Sequence, residues 1–207
     1  MRQILVFGDS ITCGYWDPEG GWVQRLRKEI DTKSLASNVN QYIEVYNLGV
    51  DGDNSTWLLD RFENEIKQRV SEKEGVLILV EIGSNDCEWI SKKKETVTSK
   101  EQFEDNIKKL AEIGQKYGEK VVFVGFTPID QSKVDPIPWN HDRSYRNDLN
   151  TEFNDIVKRV CEQNKLPFIN LLEKLGENFQ AKLVDGVHPN SAGHEQIYQI
   201  VRELVFG

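Results

Sequence analysis

Short apolar runs alternate along this chain with longer segments whose apolar residues recur every three or four positions. The runs are rich in β-branched and aromatic residues, and the run VLILVEIG is apolar at nearly every position. Continuous runs of this kind are typical of strands that are covered on both faces of a sheet. The pattern predicts strands at 4–8, 43–49, 76–83, 120–126 and 166–171.

The segments between the runs predict amphipathic helices. In one of them, Leu149, Phe153, Ile156 and Val160 fall on a single helical face. Strands that alternate with helices favour a parallel sheet, because each helix carries the chain back across the sheet before the next strand begins. We therefore predict an α/β fold in one domain over residues 1–207, with a mostly five-stranded parallel sheet and helices on both faces.

The chain is acidic, with 26 basic and 34 acidic residues and a formal net charge of −8. Phosphate groups repel such a surface, so nonspecific binding to nucleic acid or to an anionic membrane is not expected. No apolar run approaches the roughly 20 residues that span a bilayer, and the first ten residues lack the cleavage site of a signal peptide. The three cysteines, Cys13, Cys87 and Cys161, form no CxxC pair, which argues against a disulfide framework or a zinc site. Their number and spacing favour a reduced, cytoplasmic compartment.

Small and polar residues follow four of the predicted strands. They belong to the segments GDSITCG, NLGVDGDNS, GSND and DGVHP, the last of which comes after a short predicted helix. Ligands of open α/β sheets bind beyond the carboxyl ends of the strands, so four chain-distant segments are expected to form one site. The two least regular stretches, 84–98 and 127–142, also follow strands and are candidate walls of that site.

The residue types in these segments indicate nucleophilic catalysis. A serine hydroxyl needs a base to take its proton, and His188 is the natural base for Ser10. Asp185 lies three residues before His188 and can orient its imidazole, while Pro189 disfavours a helical backbone at His188. His194 is expected at the start of the last helix in a structural role. We predict Ser10 as the nucleophile, His188 as the base and Asp185 as the acid that orients it.

Attack on an ester creates an oxyanion, which requires hydrogen-bond donors that are already in place. The backbone N–H of Gly49 and the side-chain amide of Asn85 are the predicted donors, since a glycine allows close approach to a ligand. Other residues near the same segments are predicted to support the site or line its pocket, where aromatic rings can stack on a sugar or contact an acyl group: Asp9, Trp16, Asp86, Trp89 and Trp139.

Each motif also has a plainer explanation. Ser10 can cap a helix, and Asn85 with Asp86 can form a turn. The segment GDSITCG can also cradle a phosphate in a non-catalytic binding module, although it lacks the spacings GxGxxG and GxxxxGK[ST]. A metal bound by Asp185, His188 and His194 has no further acidic or cysteine cluster to support it, so no metal is predicted.

The four segments, in this order, resemble the four sequence blocks of the SGNH, or GDSL-type, esterases and lipases. The resemblance extends from residue 8 to residue 189. Ile11 stands where many members have leucine, and Ser84 stands where relatives often have glycine or threonine. The resemblance implies a flavodoxin-like three-layer α/β/α sandwich, a single SGNH hydrolase domain over residues 1–207, and hydrolysis of esters or thioesters without a cofactor.

The resemblance also implies roles for individual residues. It makes Ser10 the nucleophile and, through its backbone N–H, an oxyanion donor beside Gly49 and Asn85, with His188 and Asp185 completing a triad. No long apolar lid is evident, which disfavours a lipase that acts at lipid surfaces. The expected partner is a small-molecule ester with a short acyl or acetyl group, carried on a carbohydrate or a lysolipid, and acyl thioesters are the alternative substrate class.

Overall fold

The computed structural model describes residues 1–39 and 42–206. A five-stranded sheet forms the centre, and its strands are β1 (Gln3–Gly8), β2 (Glu44–Gly49), β3 (Val76–Glu81), β6 (Lys120–Val124) and β8 (Phe168–Ile169). Their order is β2-β1-β3-β6-β8, and every neighbouring pair is parallel. The predicted α/β class and five-stranded parallel sheet are therefore confirmed.

Helices cover both faces of this sheet. The long helices are α2 (Gly21–Ala36), α3 (Ser55–Lys67), α4 (Lys100–Tyr117), α6 (Asn147–Gln163) and α8 (Ser191–Phe206). Shorter helical turns are α1 (Ser10–Cys13), α5 (Gln131–Val134), α7 (Leu171–Leu175) and a 3-10 helix at Glu177–Lys182. In the part of the chain that the structure describes, no helix has the length and apolar character needed to cross a membrane.

Alternate residues of the strands enter two separate cores. Leu5 and Phe7 of β1 pack with α3, α4 and α6 on one face, while Ile4 and Val6 pack with α2 and α8 on the other. Successive strand side chains point to opposite faces, so a strand buried on both sides must be apolar throughout. This is why β3 reads as an unbroken apolar run up to Glu81, which is itself buried.

A second, small sheet was not predicted. It consists of β4 (Trp89–Ile90), β5 (Glu95–Thr96) and β7 (Arg143–Ser144), joined in antiparallel pairs. Strands β4 and β5 lie within the stretch 84–98, which the sequence pattern left irregular, and β7 begins directly after the irregular stretch 127–142. Segments this short show no periodicity, because alternation needs at least four residues to be recognised.

Gly83 lies at the turn where the chain leaves β3 for the site, and its φ is +130°. A Cβ there would come within 2.7 Å of Cζ of Phe103 and would also overlap the ring of Phe126. Gly176 provides a matched control, since its φ is +69° and a Cβ would meet no atom within 4 Å.

We expect Gly83→Ala to lower the free energy of unfolding by about 1–3 kcal/mol more than Gly176→Ala. Both alanines carry backbone strain from a positive φ, but only the alanine at 83 overpacks the core. Urea denaturation of the two variants measures the difference, and equal losses would show that the packing around Gly83 adjusts freely.

Candidate active site

The register of the sheet places Ser10 directly beyond the end of β1. Gly8 closes that strand level with Gly49 of β2 and Glu81 of β3. Asp9 then caps α1, because its Oδ1 accepts from the N–H of Ile11 at 2.9 Å. Ser10 is the first residue of that helical turn and does not cap it, so the plainer explanation for Ser10 does not hold.

His188 and Asp185 lie on a closed loop that leads into α8. The N–H of Val184 donates to the carbonyl of His188 at 2.9 Å. Oδ1 of Asp185 accepts from the N–H groups of Val187 and His188, both at 2.9 Å. The loop therefore orients the aspartate by its own backbone, and Gly186, with a φ of +101°, permits the turn.

A chain of hydrogen bonds joins Asp185, His188 and Ser10, although Ser10 and His188 are 178 positions apart in the sequence. His188 Nδ1 lies 2.7 Å from Oδ2 of Asp185, and His188 Nε2 lies 2.8 Å from Oγ of Ser10. An ionised carboxylate only accepts hydrogen bonds, so Nδ1 carries the proton. In neutral His188, Nε2 is then free to accept the hydroxyl proton of Ser10.

The charge of Asp185 is stabilised by its surroundings. Burial alone would raise the pKa of this carboxyl group, but the hydrogen bonds from the His188 ring and from two backbone N–H groups hold it well below its usual range. Trp16 contributes a further donor, since its Nε1–H lies 3.2 Å from Oδ2 of Asp185. Asp185 is therefore ionised across the neutral pH range and keeps the proton of His188 on Nδ1.

The predicted role of Gly49 as an oxyanion donor does not fit the structure. The N–H of Val50 donates to the carbonyl of Gly8, so the preceding N–H points to the other side of the edge strand β2. The Gly49 N–H donates there to Oδ1 of Asn47 at 3.0 Å. Glycine is required at 49 for another reason: a Cβ would lie 2.9 Å from Cα of Cys13 and would overlap its backbone nitrogen.

Asn85 is held in a single orientation by two partners. Its Nδ2 donates to the carbonyl of Asp53 at 2.8 Å, and its Oδ1 accepts from the hydroxyl of Tyr145 at 3.0 Å. Because the carbonyl can only accept, the amide cannot be flipped without losing this bond. The second hydrogen of Nδ2 remains available to a ligand. Tyr145 is buried, and sequence reasoning missed it because it follows no predicted strand.

The turn that contains Asp53 also contains Gly52, which sequence reasoning passed over in favour of Gly49. Gly52 has a φ of +70°, and a Cβ there would meet no atom within 4 Å. Within residues 1–39 and 42–206, its N–H has no acceptor. Arg61 fixes the turn by donating to Oδ2 of Asp53 at 2.6 Å and to the carbonyl of Leu48 at 2.9 Å.

Asp86 lies beneath the surface of the site and is bonded to the first residue of α3. The side chain is fully buried and accepts from both the hydroxyl and the backbone N–H of Ser55, at 2.6 and 2.8 Å. Burial raises its pKa to about 6. Asp86 therefore ties the start of α3 to the segment that carries Asn85. The plainer explanation of Asp86 as a turn former accounts for the bond from its N–H to the carbonyl of Gly83 at 3.0 Å, but not for the contacts with Ser55.

Asp9 shares a buried acidic pocket with Glu81. Oε2 of Glu81 accepts from the hydroxyl of Thr12 at 2.7 Å, while Oδ2 of Asp9 and Oε1 of Glu81 are buried and have no partner in the described part of the chain. Burial raises the pKa of Glu81 to about 7 and that of Asp9 well above its usual range, and the nearby Glu81 adds to the shift of Asp9. Oδ1 of Asp9 caps α1, and the raised pKa makes its carboxyl group easier to protonate than that of an exposed aspartate.

The predicted tryptophans divide into two groups. Trp16 contacts Asp185 and lies edge to face with the His188 ring, at 6.4 Å between centroids. Trp89 lies in β4, and Cζ of Arg146 lies over its indole, 5.4 Å from the centroid of the Trp89 ring. Trp139 is 64% exposed, and no hydrogen bond or ring contact joins it to the triad residues in the described structure. Of the three, only Trp16 touches the hydrogen-bonded chain.

His194 is buried in α8 and lies outside the chain of hydrogen bonds formed by Ser10, His188 and Asp185. Its Nε2 lies 3.4 Å from the carbonyl of Tyr15. Burial lowers the pKa of His194 to about 4. The ring is therefore neutral at neutral pH, donates from Nε2, and links α8 to the loop before Trp16. Among residues 1–39 and 42–206, no group of three or more His, Cys, Asp or Glu side chains is placed to hold a metal ion.

Comparison with known proteins identifies the family of the chain. The model of the GDSL-like Lipase/Acylhydrolase family matches residues 6–196. The chain belongs to this family. It is a carboxylic ester hydrolase, and the hypothesis of a non-catalytic binding module is set aside.

The GDSL hydrolase has curated and structural relatives that it matches over most of their length. An isoamyl acetate-hydrolyzing esterase 1 homolog of Rattus norvegicus is 21% identical over 95% of this chain and 78% of the relative. A solved lipolytic G-D-S-L protein of Veillonella parvula is 22% identical, with a TM-score of 0.73 over 99% of this chain and 98% of its own. A solved acetylxylan esterase of Geobacillus stearothermophilus is 22% identical, with a TM-score of 0.73 over 100% and 95%. The likeness to the two solved structures supports the fold.

The neutral state of His194 predicts a pH dependence of stability in this GDSL hydrolase. An unfolded chain protonates His194 below about pH 6.5, whereas the folded chain does so only near pH 4. The unfolded state therefore binds more protons between these values, and folded stability falls as the pH is lowered through this window.

We expect the difference in unfolding free energy between wild type and His194→Gln to rise by about 3 kcal/mol from pH 4 to pH 6.5. Subtracting the variant removes the contributions of Asp9, Glu81 and Asp86. Chemical denaturation across this pH range measures the difference, and a flat difference would place a charged imidazole in the folded core.

Proposed function

We propose that this chain is a serine esterase that hydrolyses small acyl esters through a triad of Ser10, His188 and Asp185. The observation that carries the proposal is the hydrogen-bonded chain from Asp185 through His188 to Ser10, with distances of 2.7 and 2.8 Å. A serine at this distance from the lone pair of a neutral imidazole can lose its proton as it attacks a carbonyl carbon.

The reaction then has two halves. Ser10 Oγ bonds to the carbonyl carbon while its proton passes to Nε2 of His188. The bond to the alcohol oxygen breaks, and His188 returns the proton to that oxygen as the alcohol leaves. A water molecule, deprotonated by His188, attacks the acyl-serine, which releases the acid and restores the hydroxyl of Ser10. Asp185 stays ionised throughout and stabilises the imidazolium.

Three donors are proposed for the oxyanion that forms in each half. They are the backbone N–H of Ser10, the second hydrogen of Asn85 Nδ2 and the backbone N–H of Gly52 in place of Gly49. The hydrogen bond from Asn85 to Asp53 supports this set, because it holds the amide against the turn that contains Gly52. Donors fixed by the fold need no reorganisation when the negative charge develops.

The proposed substrates are esters with acetyl or other short acyl groups. Two kinds of relative support this class by their names, an isoamyl acetate-hydrolyzing esterase homolog and an acetylxylan esterase. A carbohydrate or a lysolipid is the proposed carrier of the acyl group. Acyl thioesters react through the same attack on a carbonyl and are the second substrate class to assay.

We expect Ser10→Ala to reduce kcat for a short-chain ester by about a millionfold, the scale of the nucleophile deletion in subtilisin. The variant should fold, because within the described residues the only hydrogen bond of the Ser10 side chain is the one to His188. Steady-state hydrolysis of an acetyl ester and a melting curve on the same preparation test this. Retention of a tenth of wild-type activity by a folded variant would remove Ser10 from the mechanism.

Asn85→Ala should lower kcat by about 10²–10³ with little change in KM, because the amide is needed mainly when negative charge develops. Tyr145→Phe should lower kcat by a smaller factor of about ten, since it deletes only the hydroxyl that orients the amide. Tyr117→Phe is the matched control: it deletes a hydroxyl bonded to Glu63 at 2.6 Å, away from the site. A kcat for Tyr145→Phe equal to that of Tyr117→Phe would contradict the orienting role.

A further inference from the structure

Two aromatic rings stand beside His188 on the loop between α1 and α2. Tyr15 is 39% exposed and Trp16 is 58% exposed. Their ring centroids lie 6.5 and 6.4 Å from that of His188 and 6.0 Å from each other. The mechanism above uses neither ring face, although large exposed aromatic surfaces carry a cost in water.

The backbone of Trp16 is strained, with a φ of +64°. A positive φ costs a bulky residue of the order of 1–2 kcal/mol and persists only where the surroundings enforce it. Here the indole N–H is bonded to Asp185 at 3.2 Å. Strain of this kind is a reason to look for a function of the side chain that it presents.

The residue that follows, Asp17, anchors the loop. Its buried carboxylate accepts from Arg25, from the hydroxyl of Ser191 and from the N–H of Gly21. Burial raises the pKa of Asp17, but these partners outweigh it and hold the pKa well below its usual range. Ser191 begins α8, three residues after His188, so the anchor fixes the two aromatic rings relative to the catalytic histidine.

The chemistry of ester cleavage says which part of the substrate meets these rings. His188 Nε2 must reach the oxygen of the departing alcohol in order to give it a proton. The alcohol moiety therefore lies next to His188 when the ester bond breaks, on the side where Tyr15 and Trp16 are placed. The carbonyl oxygen instead meets the donors of Asn85 and its turn, which belong to other elements.

We propose that Tyr15 and Trp16 form the subsite for the alcohol moiety of the ester, and that this moiety is a pyranose ring. The inference rests on the proposed function of the triad. A sugar ring offers a flat face of C–H groups to an aromatic ring, while its hydroxyls stay hydrated at the edge. The open setting of both rings suits such a ligand, because a long alkyl chain needs an enclosed apolar groove.

The test compares two acetyl esters that share the acyl group and differ in the alcohol: acetylated methyl β-xylopyranoside and ethyl acetate. The measured quantity is the ratio of kcat/KM for the sugar ester to kcat/KM for ethyl acetate. Damage to the triad, including loss of the bond from Trp16 to Asp185, lowers both values and cancels in the ratio. Melting curves verify that each variant is folded.

Tyr15→Ala and Trp16→Ala should each lower this ratio about tenfold, and Trp16→Phe, which keeps a ring and the same backbone strain, should lower it less. Tyr42→Ala is the matched control, since Tyr42 is 66% exposed and precedes the amino end of β2, at the edge of the sheet away from the site. Its ratio should equal that of the wild type.

An unchanged ratio in both alanine variants would overturn the subsite while leaving the triad intact, provided that Ser10→Ala is inactive on both esters. Hydrolysis of ethyl acetate but not of the sugar ester by the wild type would overturn the pyranose assignment. Failure of the wild type to hydrolyse either ester would overturn the proposed substrate class, and the subsite with it.

Discussion

The close approach of α1 to the ends of β1 and β2 is the constraint on which the site depends. Gly8 and Gly49 are paired in the sheet, and a side chain at either one would overlap the backbone or side chains of α1 or β3. Because both positions are glycine, the helical turn begins immediately after β1. Ser10 is thereby placed at the carboxyl edge of the sheet, on backbone that the central strands hold rigidly.

Buried polar contacts join other elements of the site to one another. Asp86 ties the start of α3 to the segment of Asn85, and Asp17 ties the aromatic loop to the start of α8. Such contacts are costly to leave unsatisfied, so they fix geometry as well as contributing free energy. The result is that both ring nitrogens of His188 have fixed partners, Asp185 on its own loop and Ser10 at the end of β1.

The central sheet could be predicted from the sequence because its signals are local. The same is true of the three hydrogen-bonded residues Ser10, His188 and Asp185. Apolar runs mark buried strands, and a serine, a histidine and an aspartate each follow a strand or a short helix. The prediction of Gly49 as an oxyanion donor does not fit the structure, because the sequence does not show which way a backbone N–H points at an edge strand. Tyr145 was missed because its partner, Asn85, lies 60 positions away in the sequence. The small sheet of β4, β5 and β7 was missed because strands of two residues show no periodicity.

The anchoring of Trp16 also lay beyond the sequence. Nothing in WDPEGGW predicts a positive φ at the tryptophan or the contact of Asp17 with Ser191, which is separated from it by 174 positions. The single domain over residues 1–207 and the cytoplasmic compartment remain predictions. The choice between Gly49 and Gly52 as the proposed oxyanion donor depends on long-range contacts. Only the folded structure shows those contacts.

The central claim is that Ser10 is a nucleophile activated by His188. Covalent labelling with a fluorophosphonate, mapped by mass spectrometry of proteolytic peptides, tests it most directly. We expect a single adduct, on Ser10, that forms far more slowly in His188→Ala. An adduct on another residue, or labelling of Ser10 at an unchanged rate in His188→Ala, would contradict it.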